Sequence, residues 1–71
     1  MSKEKIIEEY RAGLHRIATA RTEEEIEDLF EETERLLVEN CTVFTAQEYA
    51  NDLATLRIYT WKARSKIQEG I

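Results

Sequence analysis

Three stretches of this chain repeat apolar residues at helical spacing, and the last is the longest. Tyr49, Leu53, Leu56, Thr60, Ala63 and Ile67 follow one another at alternating gaps of four and three, which places them along one face of a helix. The start of that helix is marked twice. Thr45-Ala46-Gln47-Glu48 has the spacing of a capping box, in which the Thr45 hydroxyl and the Glu48 carboxylate each accept from the other residue's backbone N–H. Phe44 and Tyr49 stand where a hydrophobic staple would place them. Nothing interrupts the run before Gly70, a residue suited to the position after a helix end.

The same helix carries apolar residues that its inner face does not use. Ala50, Ala54, Ile58 and Trp61 lie off that face when residues are turned by about 100° each. A helix apolar on most of its circumference is usually covered on more than one side. Either Ile58 and Trp61 are edge residues half covered by the first helix, or they belong to a contact surface. The preference of interfaces for Trp and Tyr anchors favours the second reading. The candidate partner-binding residues are therefore Ala54, Ile58, Tyr59, Trp61 and Ile67.

Two earlier stretches predict its packing partners. Ile6, Ile7, Tyr10, Leu14, Ile17 and Ala18 share one side of a helix that Ser2 can cap. Gly13 falls on the same side, where glycine costs about 1 kcal/mol against alanine. Close approach of another helix would explain it, with a ring such as Phe30 or Tyr49 filling the space. Thr22-Glu23-Glu24-Glu25 forms a second capping-box pattern. Ile26, Leu29, Phe30, Thr33, Leu36 and Leu37 then follow on one face. Asn40 suits a left-handed helix terminator, and Cys41 continues the inward face as a small buried hydrophobe. Val43 and Phe44 extend an apolar connection over the end of the core.

Short links make consecutive helices antiparallel neighbours. The prediction is an all-α, antiparallel up-down-up three-helix bundle with a long C-terminal helix. It forms one helical domain over 1–71, with helices at about 3–19, 23–39 and 46–69. The third helix would reach about 36 Å and the others about 27 Å, so the turns from Arg64 onward should overhang, Ile67 among them.

Composition narrows the function classes. The chain has 71 residues, no proline and one cysteine, Cys41. No intrachain disulfide or cysteine-based metal site can form, which suits a reducing cytoplasm. The first ten residues carry charge throughout and lack the apolar run of a signal peptide. No stretch is apolar enough to span a bilayer. The net charge of −5 opposes direct binding to nucleic acid and to anionic membrane surfaces.

Charge is concentrated in the second helix. Residues 22–40 hold nine acids and one base, a net charge of −8. Glu24, Glu27, Asp28, Glu31 and Glu32 would form an acidic face. Such a face is ordinarily solvated and partly neutralised by neighbouring helices. It could also meet a basic partner, as DNA-mimic inhibitors do. No metal or cofactor is implied, because the acids point outward and lack calcium-loop spacing. His15, alone on the polar side of the first helix, suggests no ligand or base. The residues contain no phosphate loop and no nucleophile constellation, so no enzyme is expected. The reading is a small non-catalytic interaction or regulatory module, of the kind seen among bacterial or phage accessory proteins. It would self-associate through the third helix or engage another protein. The alternative is an acidic inhibitor that uses the second helix.

Overall fold

The computed structural model describes residues 2–70. The chain is all-α. Helix α1 spans Lys3–Thr19, α2 spans Glu23–Glu39, and α3 spans Ala46–Glu69. A single 3-10 turn, Cys41–Val43, joins α2 to α3. Each helix packs against the other two in an up-down-up bundle.

Each start is set by a side chain. Ser2 Oγ accepts from Lys5 N at 3.3 Å, and Thr22 Oγ1 accepts from Glu25 N at 3.1 Å. At α3 both halves of the capping box form: Glu48 N donates to Thr45 Oγ1 at 3.1 Å, and Thr45 N donates to Glu48 Oε1 at 2.8 Å. At α2 only the Thr22 half forms, with no return bond from Glu25 among the described residues.

Ile6, Ile17, Ile26, Leu37 and Leu56 are completely buried, and Tyr10, Leu14 and Ala63 complete the centre. Phe44, Tyr49, Leu53 and Ile67 are partly buried against it. The only buried polar side chains among the described residues are Thr33 and Thr60. Thr60 Oγ1 donates to the Leu56 carbonyl at 2.8 Å, which satisfies the hydroxyl within its own helix. The Tyr10 hydroxyl donates to the Asp52 carbonyl at 2.9 Å and ties α1 to α3. Burial, with the nearby Asp52 charge, pushes the Tyr10 pKa up to about 12, so the phenol keeps its proton and its bond at neutral pH.

Four expectations need correction. Gly13 does mark a close helix approach, but its neighbour is Thr33 of α2 and not a ring; a Cβ at Gly13 would collide with the Thr33 side chain. Cys41 is exposed, because α2 ends at Glu39 and the 3-10 turn breaks the helical phase that would have carried it inward. Asn40 has φ −116° and is not left-handed. It ends α2 with its side chain, Nδ2 donating to the Leu36 carbonyl at 2.8 Å.

The fourth concerns α3. Its last turns do not overhang. Gln68 Nε2 donates to Glu23 Oε1 at 3.3 Å, so the end of α3 lies beside the start of α2. Lys3 pairs with Glu48, which sets the starts of α1 and α3 level. The link after α1 is extended at Ala20 (ψ 146°) and Thr22 (ψ 155°). A three-residue link of this kind can carry the chain about 10 Å onward, nearly the rise of seven helical residues. The start of α2 therefore stands beside the last turns of α3, and Ile67 packs against the core.

Two outcomes follow from this packing. Glycine to alanine inside a helix normally stabilises by about 0.5–1 kcal/mol. Gly13→Ala should instead destabilise by about 1–2 kcal/mol, because overpacking costs more than propensity returns. Urea melts should show recovery in the double variant Gly13→Ala/Thr33→Ala. The second concerns acid. The Thr45 backbone N–H and Lys3 hold the Glu48 carboxyl below its ordinary value of 4.5. A carboxyl with a depressed folded pKa contributes stability above its unfolded pKa and loses it as pH falls through the folded one. Melts between pH 7 and about pH 3 should therefore show a smaller acid loss in Glu48→Gln than in wild type.

Candidate functional site

The outer face of α3 is formed by residues that the bundle cannot use. The inner face is taken by Leu56, Thr60 and Ala63, which are buried, with Tyr49, Leu53 and Ile67 beside them. Ala50, Ala54, Ile58 and Trp61 are spaced by four, four and three residues, a second stripe turned away from the core. All four are exposed, Ile58 by 51% and Trp61 by 68%. α3 spends one side on α1 and α2 together, and the described residues form no fourth helix for the other side.

The five candidate residues divide. Ala54, Ile58 and Trp61 lie together on the stripe. Tyr59, 40% exposed, lies off it and lines a hollow between α1 and α3 with Ala18, Lys62, Ala63 and Lys66. Ile67 belongs to the core edge. Val38 of α2 is 50% exposed, which its apolar type alone did not indicate. Its position just outside the Leu36–Leu37 pair of the inward face is the signal that could have found it.

The acidic residues are where the sequence suggested. Glu24, Glu27, Asp28, Glu31 and Glu32 are all exposed on α2. The only ion pair among the described residues is Lys3 with Glu48, at 3.0 Å, so none of these five carboxylates is neutralised by a direct contact. No group of three or more His, Cys, Asp or Glu among the described residues is placed to hold a metal ion.

Three surface hollows of about 250–290 Å³ lie in the grooves between helices. One of them is lined by Lys3, Tyr10, Arg11, Phe44, Glu48 and Asp52. Burial, together with the nearby Glu48 charge, raises the Asp52 carboxyl above its usual range. Lys3 Nζ sits 3.0 and 3.1 Å from the two Glu48 oxygens and 5.8 Å from the centre of the Phe44 ring. These contacts join the helix starts to each other. No described helix is long and apolar enough to cross a membrane.

Comparison with protein families, with curated proteins and with solved structures finds no match for this chain.

An exposed stripe contributes little to the fold that displays it. Ile58→Ala and Trp61→Ala should change unfolding free energy by no more than about 0.5 kcal/mol at a concentration where the chain is monomeric. Leu56→Ala, at a completely buried site, should cost about 2–5 kcal/mol. Equal losses in urea melts would show that the stripe is part of the core.

Proposed function

We propose that this chain is a small non-catalytic interaction or regulatory module that self-associates through the outer face of α3. The observation that carries the reading is Trp61, the most exposed of the large hydrophobic residues, in line with Ile58, Ala54 and Ala50. An aromatic anchor beside an aliphatic one, flanked by small residues, has the make-up of an interface centre. Small domains also gain stability by association, because one short chain buries little apolar surface alone. A lone cysteine and the absence of any disulfide suit a cytoplasmic setting.

A second reading rests on a different observation. The α2 carboxylates form a surface of net charge −8 with no direct counter-charge among the described residues. Such a surface suits a basic protein partner, in the manner of an acidic inhibitor. Binding of that kind would weaken steeply as salt rises. Association through the α3 stripe would be far less salt-sensitive, being apolar at its centre.

Sedimentation equilibrium at low micromolar concentration on wild type and Ile58→Glu separates the readings. A wild-type dimer that becomes a folded monomer in Ile58→Glu is the expected result. A monomeric wild type removes self-association and leaves the α3 face to a different protein.

A further inference from the structure

The α3 face is complementary to itself in only one direction. Its two small residues, Ala50 and Ala54, precede its two large ones, Ile58 and Trp61. Two copies laid antiparallel, with a two-fold axis level with residues 55 and 56, bring Trp61 of one copy over Ala50 of its partner. The same operation sets Ile58 over Ala54. Each large side chain meets a small one, and each contact occurs twice, as a two-fold interface requires. A parallel pairing would stack Trp61 on Trp61 and leave Ala50 facing Ala50 across a gap.

The helix dipoles favour the same direction, because they oppose in the antiparallel pair.

We infer that the partner of this face is a second copy of the chain, docked α3 to α3 in antiparallel register with Trp61 over Ala50 and Ile58 over Ala54. The inference rests on the self-association proposed above and adds its direction and register. It also explains why the helix keeps alanines at 50 and 54, positions exposed in the single chain. Larger residues there would hold the two helices apart and leave the Trp61 ring without a seat.

Gln47 and Ser65 report the register without disturbing the anchors. In the antiparallel pair Gln47 of one copy lies beside Ser65 of the other. The two Gln47 residues would then be about 27 Å apart along the axis, far beyond the reach of a disulfide. The test uses the full chain with Cys41→Ser, an exposed position, as background. Gln47→Cys and Ser65→Cys variants are oxidised separately and as a mixture, after sedimentation has established their state of association. A covalent dimer from the mixture, with none from either variant alone, is the expected outcome. A covalent dimer of Gln47→Cys with itself, in a protein that Ile58→Glu still dissociates, overturns the antiparallel register and leaves self-association standing. A dimer that Ile58→Glu dissociates, but whose mixed variants give no cross-link, overturns the register equally. A wild type that stays monomeric overturns both.

Discussion

Gly13 and Thr33 set how closely α1 and α2 approach. With no side chain at Gly13, the Thr33 side chain occupies the space where a Cβ would stand, and the two helices meet almost backbone to side chain. That closeness has a consequence for the third helix. A tight α1–α2 pair presents one apolar trough, built from Ile6, Tyr10, Leu14 and Ile17 on one side and Ile26 and Leu37 on the other. α3 fills it with one face, led by Leu56 and Ala63. Because the trough admits only one face, Ile58 and Trp61 stay outside.

The ends of the bundle are arranged to tolerate two parallel helix starts. α1 and α3 run in the same direction, so their positive N-terminal ends lie close together. The Glu48 carboxylate answers both: it caps α3 through Thr45 and accepts Lys3 of α1. This carboxylate is exposed, so its energetic contribution is small. It marks the register: the starts of α1 and α3 stand level, and the link after α1 then delivers α2 to the far end of α3. A short chain thereby covers nearly the whole length of a 24-residue helix with two 17-residue ones.

Burial and charge are distributed for different purposes in the three helices. α1 gives its residues to the core and its Gly13 to the α2 contact. α2 is a thin apolar seam under a surface of carboxylates. α3 is two-sided, and only one side has a partner within the chain. A folded chain that leaves a tryptophan and an isoleucine in line on its surface, among alanines, has an unfinished surface by ordinary standards of helix burial. In the polar hollow near Tyr10 and Asp52, by contrast, the tyrosine, lysine and glutamate are bonded to other parts of the bundle.

The helices were legible in the sequence because their information is local. A capping box needs four consecutive residues, and an inward stripe needs only a period. Ser2, Thr22 and Thr45, each with the apolar stripe that follows it, therefore sufficed to place the three helices, and the short links gave their antiparallel order. The exposure of Ile58 and Trp61 was open in the sequence, since two apolar sides on one helix do not say which is covered. Only the packing of α1 against α2 decided that. Cys41, Asn40 and Ile67 were misplaced for a related reason. Cys41 and Asn40 depend on where the backbone leaves the helical phase, and a 3-10 turn resets that phase without a strong residue signal. Ile67 depends on how far an extended three-residue link carries α2 along its neighbour. Period and capping are properties of one segment at a time. The relative offset of two segments is fixed by contacts between residues far apart in the chain, such as Gly13 with Thr33 and Leu56 within the buried cluster, and it shows at the surface in Lys3 with Glu48 and Glu23 with Gln68.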